Sequence, residues 1–160
     1  MSVDVITLPA KKYPVSKLGT KPVLMRKTLD RTDLYPILED MYSHARELNR
    51  HMSKSDKEET GKLLYKTVVS AHNHFALSYY HLNLDNTKLE EAYKLLECLE
   101  SIKFLTELCF KLRMINLDNK HIEGLRNKIY ITIAAIQEQS EKWYQWIYCQ
   151  VNGSCAKVNK

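Results

Sequence analysis

The side chains with the clearest chemistry to offer are cations. Arg46 and Arg50 precede a break in the apolar pattern, Lys54 and Lys57 lie in or just past it, and Lys62 and Lys66 follow. A spacing of four makes Lys62 and Lys66 neighbours on a helix, where like charges repel slightly unless an anion bridges them. Phosphates of a nucleic-acid backbone would bridge such a pair and release their counterions. The competing reading is a solvated face that Glu58 and Glu59 neutralise. A second set, Lys11, Lys12, Lys17, Lys21, Arg26 and Lys27, lies in the N-terminal stretch with Tyr13 among it. A flexible arm of this kind would contact phosphate without reading base edges. Its alternative is a solubilising leader.

Other chemistry is sparse. His44, Glu47 and His51 stand at i, i+3 and i+7 and would share a helix face, a spacing that a metal could use. A solvated face opposite Leu48 is the simpler account of them, and no metal or cofactor is expected. Glu97 and Glu100 are three apart, but no second helix carries the Glu-x-x-His partner of a di-iron bundle. With four glycines in the chain there is no phosphate-cradling loop and no nucleophile elbow. No catalytic residue is expected, and the six histidines are assigned to the surface or its rim. Trp143, Tyr144, Trp146 and Tyr148 form an aromatic cluster. Trp143 and Trp146 suit a subunit interface, or else the indoles cap the chain's own core.

These residues need helices to position them, and the apolar periodicity supplies four. Leu34, Ile37, Leu38, Met41, Ala45 and Leu48 mark the first, with Pro36 tolerated in its opening turn and the end near Met52. The second is expected to open at Ser55, where Ser55 and Glu58 match a capping box, and to bury Leu64, Thr67, Val68, Ala71, Phe75 and Tyr79. Thr87 and Glu90 repeat the box ahead of a third helix that runs to about Met114. Its expected apolar positions are Leu89, Tyr93, Leu96, Leu99, Ile102, Phe104, Leu105, Leu108 and Leu112. After Asn116–Asn119 a last helix carries Ile122, Leu125, Ile129, Ile133, Ile136, Trp143 and Ile147 on one stripe.

Short connections between four amphipathic helices, with no β alternation, predict an all-α fold: an antiparallel up-down-up-down four-helix bundle with a flexible N-terminal arm and an apolar core. The expected organisation is a basic arm over 1–33, the bundle over 34–148 and a tail over 149–160. Of the formal charge of +5, the arm holds +4, leaving the rest close to neutral. Cys98, Cys109, Cys149 and Cys155 include no C-x-x-C pair, and thiols inside an apolar helical pattern suit a reducing compartment. The first residues carry no basic region followed by a long apolar run, and no stretch approaches the ~20 apolar residues of a membrane span. A cytoplasmic location without membrane attachment is expected.

Several segments together resemble a known family. They are Leu34-Tyr35-Pro36-Ile37, Thr60-Gly61-Lys62-Leu63-Leu64, Leu99-x-x-Ile102-Lys103-Phe104-Leu105-x-x-Leu108, and the turn Ile115–Lys120 into a helix that ends at Trp143. In order and helix length, residues 34 to 148 are similar to the accessory variability protein of diversity-generating retroelements. They are similar also to the four-helix proteins encoded in intervening sequences of bacterial large-subunit ribosomal RNA. The resemblance implies a ring-like homopentamer that binds RNA or DNA, partners a reverse transcriptase and has no catalytic centre. By position it places Lys62 and Lys66 on the family's basic second helix, with Arg46 and Arg50 beside them. The chain differs in its nearly neutral bundle and its long cationic arm. A protein–protein adaptor, or an intervening-sequence bundle that does not bind nucleic acid, is the alternative.

Overall fold

A computed structural model describes residues 34–115 and 120–153. Four long helices account for most of them: α1 (Leu34–Arg50), α2 (Lys62–Tyr80), α3 (Asn86–Lys111) and α4 (Lys120–Asn152). No strand occurs among the described residues. The arm over 1–33 and the turn over 116–119 lie outside them.

The α1 stripe is as expected. Leu34, Leu38, Met41, Ala45 and Leu48 are buried at alternating four- and three-residue steps. The entry to α2 differs from the capping box at Ser55. Ser53 is the N-cap, its hydroxyl accepting from the Asp56 N–H at 3.2 Å. One α-helical turn (Lys54–Asp56) and a π-helical turn (Lys57–Gly61) then run into α2. Gly61 is buried against α1, where a Cβ would come within 2.6 Å of Asn49 Oδ1 and 2.8 Å of Met52 Sδ. The close crossing at this point requires the missing side chain.

The start of α3 also differs from its expected box. Asp85, not Thr87, is the N-cap, and its carboxylate accepts from the N–H groups of Thr87 (3.1 Å) and Lys88 (3.3 Å). A carboxylate satisfies two orphan donors and answers the positive helix end, which a threonine hydroxyl does less well. Partial burial pushes the Asp85 carboxyl up. The Lys88 N–H, His81 and the Thr87 N–H outweigh that and hold it below its ordinary value of 3.8. The cap's contribution is therefore complete above that value and is lost as the pH falls through the lower folded one. Asp85→Ala is expected to lower the thermal midpoint by a few degrees at neutral pH, with the gap from wild type closing in strong acid. Circular dichroism melts at the two pH values check this.

The buried face of α3 is rotated from the expected one. The stripe is Lys88, Ala92, Leu95, Leu99, Ile102, Thr106 and Cys109, in alternating four- and three-residue steps, with Leu105 and Phe110 beside it. Tyr93, Phe104 and Leu112 of the expected set are exposed. This helix is apolar on much of its circumference, so periodicity admits two stripes. The one chosen contains small Ala92 where a neighbour packs. Helix α3 ends in a Schellman motif with Arg113 left-handed at φ 55°. The N–H of Met114 donates to Cys109 O (3.0 Å) and that of Arg113 to Phe110 O (3.3 Å). All seven apolar positions expected in α4 are buried, and Ser140 fills the gap between Ile136 and Trp143.

Side-chain pairs tie the helices together around one core. Tyr35 meets His72, and Tyr42 meets Tyr65, between α1 and α2. His74 meets Glu91 between α2 and α3. Tyr93 meets Tyr144, Lys103 meets Gln137, and Phe110 meets Tyr130 between α3 and α4. His121 at the start of α4 meets Glu47 near the end of α1. No helix among the described residues is long and apolar enough to cross a membrane.

Candidate functional site

The π-helical turn and its flanks carry the six cations singled out in this region, and all six are exposed: Arg46, Arg50, Lys54, Lys57, Lys62 and Lys66. They do not behave alike. Arg50 is committed to Glu47, its Nη1 lying 2.6 Å from Oε1. None of the other five forms an ion pair among the described residues. Long exposed cations without a carboxylate partner lose little on meeting an anion, because no internal pair has to break. Glu58 and Glu59 are exposed as well and pair with none of these lysines, so the direct neutralisation considered for them is not made.

Two features extend this surface across neighbouring helices. Tyr42 and Tyr65 join α1 to α2 through hydroxyls 2.5 Å apart. That hydrogen bond holds the Tyr65 hydroxyl above the ordinary tyrosine value, while nearby Arg46 pulls it the other way. Arg46 therefore shares the α1–α2 face with the start of α2. On the other side, Lys66 lines an open groove of about 500 Å³ between α2 and α3, with Thr67, Ser70, His74, Lys94 and Glu97. Lys94 was not foreseen as part of a cationic surface, because the stripe of α3 had to be known before its polar face could be placed. Its ammonium is 3.7 Å from Glu91. The arm cations Lys11, Lys12, Lys17, Lys21, Arg26 and Lys27 lie outside the described residues.

Trp143 and Trp146, expected either at a subunit interface or as caps on the chain's own core, are buried in the core. Trp143 is 2% exposed and Trp146 7%. Their rings stack at 5.9 Å, and Trp143 stacks on Tyr79 at 5.5 Å with Phe75 edge-on at 5.7 Å. The indole N–H of Trp143 donates to Ser78 Oγ at 2.8 Å. Burial against their own chain supports the second of those readings.

The core is not wholly apolar either. Lys88 is fully buried. Its ammonium donates to the carbonyls of Ser78 and, at 2.9 Å, His81, where α2 ends, and it lies 5.7 Å from the Trp143 ring centroid. It thus caps the negative end of α2 from inside the protein. Burial pushes its pKa down to about 7, with Asp85 pulling the other way. In sequence, Lys88 looks like any surface lysine in a helix's first turn.

The His44, Glu47 and His51 set is split by the fold. Burial pushes the His44 imidazole below its ordinary value, and its charged neighbours are Asp40 and Lys128. Glu47 and His51 instead meet His121 from α4. Glu47 Oε2 is 3.3 Å from His51 Nε2 and 3.2 Å from His121 Nε2. Hydrogen bonds from His121 and His51 hold the Glu47 carboxyl below its ordinary value. Two thiols are held in the protonated form: burial pushes Cys109 up to about 11 and raises Cys98 as well. No protein-family model, curated protein or solved structure matches this chain.

Proposed function

We propose that this protein is a non-enzymatic, oligomeric accessory protein that holds RNA or DNA by its phosphates. The exposed cations Arg46, Lys54, Lys57, Lys62 and Lys66 around the α1–α2 connection, which form no ion pair among the described residues, carry this reading. The π-helical turn among them widens the backbone at the same place, and such turns are often found at functional sites. The cationic arm would add contacts of the same sequence-independent kind. An antiparallel up-down-up-down bundle belongs to this proposal. It is supported by the order of the interhelical pairs, which runs upward along one helix and downward along the next. By the resemblance of residues 34 to 148, the assembly would be a homopentamer and its protein partner a reverse transcriptase.

Binding of this kind is dominated by counterion release. Fluorescence anisotropy with labelled single-stranded RNA and duplex DNA is expected to show affinity falling steeply with salt. Lys62→Glu/Lys66→Glu should lower affinity by about 100-fold at low salt and flatten the salt slope by about two, alike on unrelated sequences. Salt-independent binding, or a double variant that binds like wild type, defeats the proposal.

One observation favours a protein adaptor instead. Phe104 is 63% exposed, Leu112 60% and Ile131 71%, and protein interfaces bury side chains of this kind. An oligomer whose size and stability ignore added RNA in gel filtration would support that second reading.

A further inference from the structure

We propose that Glu47, His51 and His121 form a site for a divalent transition cation, zinc fitting best, that joins the end of α1 to the start of α4. The first argument is geometric. Zinc bonds to imidazole nitrogen and carboxylate oxygen at about 2.0–2.1 Å, so two ligands on a tetrahedral ion stand roughly 3.3 Å apart. Glu47 Oε2 is 3.3 Å from His51 Nε2 and 3.2 Å from His121 Nε2. Two of the three tetrahedral edges are therefore already at the required length. The third, between the two imidazole nitrogens, is within 4.8 Å, and it has to shorten when a tetrahedral ion is bound.

The second argument is orientation. The other carboxylate oxygen of Glu47, Oε1, accepts from Arg50 at 2.6 Å. Arg50 thereby turns Oε2 toward the two imidazoles, the positioning task that an outer-shell partner performs for a metal ligand. The third argument is charge. Glu47 lies in the last turn of α1, where the helix dipole presents its negative end. An anionic side chain there is unfavourable by itself; Arg50 offsets part of that cost, and a bound cation at Oε2 would offset more. The donor set, two imidazoles and one carboxylate, suits zinc and its first-row neighbours rather than magnesium or calcium. All three ligands are accessible from solvent, which leaves the fourth position to water or an outside ligand.

Without metal, the Glu47 oxygen can only accept, so each facing Nε2 carries its proton. Uptake requires both Nε2 lone pairs, so neutral rings shift to the Nδ1–H tautomer and any imidazolium releases a proton. The proposal holds whether or not the basic strip binds nucleic acid, and its test uses no nucleic acid.

Titration of the full-length protein with Co²⁺ at pH 7.5 is expected to give the visible bands of a tetrahedral ion at one equivalent per chain. Zn²⁺ should displace that ion and raise the thermal midpoint. His51→Ala and His121→Ala should each weaken binding at least 10-fold, and together they should abolish the bands. His44→Ala and His81→Ala should leave them intact. Circular dichroism of every variant verifies folding, and the exposure of the ligands makes its loss unexpected. Absence of stoichiometric uptake, or bands that survive the double variant, overturns the site.

Discussion

Lys88→Ala is expected to destabilise the protein by roughly 3–5 kcal/mol at pH 9, measured by urea unfolding. Two losses combine. A fully buried long side chain is removed, and truncations of that size leave cavities worth about 2–5 kcal/mol. The carbonyls of Ser78 and His81 at the end of α2 lose their donor, and each buried orphan costs about 1–3 kcal/mol. Partial collapse of the site keeps the total below the simple sum. Lys88→Met retains most of the volume and separates the two losses.

The same residue imposes a pH dependence of unusual sign for a lysine. In the unfolded chain the ammonium titrates near 10.5, and in the folded protein burial lowers this to about 7. Between those values the unfolded state binds more protons, so stability rises with pH, by up to about 1.4 kcal/mol per pH unit. Below pH 7 both states carry the charge, and its full desolvation cost is present. The gap between wild type and Lys88→Met should therefore widen as the pH is raised from 7 toward 10. A neutral amine still has two N–H donors for the two carbonyls, which is why deprotonation need not break the cap. A gap that stays constant across this range would show that the ammonium remains charged in place.

Trp143→Ala is the second large effect, at roughly 3–5 kcal/mol. The indole is 2% exposed and packs against Phe75, Tyr79 and Trp146. Trp143→Phe keeps much of the ring packing but removes the N–H donated to Ser78 Oγ, which itself donates to Phe75 O. Its expected cost is about 1–2 kcal/mol. Unfolding by denaturant gives these values, and analytical ultracentrifugation tests where the ring acts. A core residue loosens the fold of the chain itself. If the chain self-associates as proposed, a Trp143→Ala protein that stays fully folded while that association is lost would place this indole at a subunit interface.

Helices were legible from the sequence wherever one face was clearly more apolar than the rest. All seven positions expected along α4 are buried, and so are those marking α1 apart from Ile37, which packs at the core's edge. The stripe of α3 was less legible. Apolar residues surround much of that helix, and periodicity alone gives no reason to bury Ala92 and Thr106 rather than Phe104. Caps were misplaced by two residues at both short connections. Ser53 and Asp85 act where Ser55 and Thr87 match the local pattern, because several polar residues stand close together at each connection and the pattern does not choose among them.

The sequence by itself determined the all-α class, the spans of the helices and the gathering of cations around the first connection. These follow from properties repeated every three or four residues along one helix, so a local reading suffices. Only the tertiary structure decided the rest. It showed that Trp143 is core, that Lys88 is buried with its ammonium turned to the backbone carbonyls of Ser78 and His81 where α2 ends, and that His121 joins Glu47 from 74 residues away. Such meetings depend on how helices distant in the chain are rotated and set in register, which the pattern within any single helix does not record.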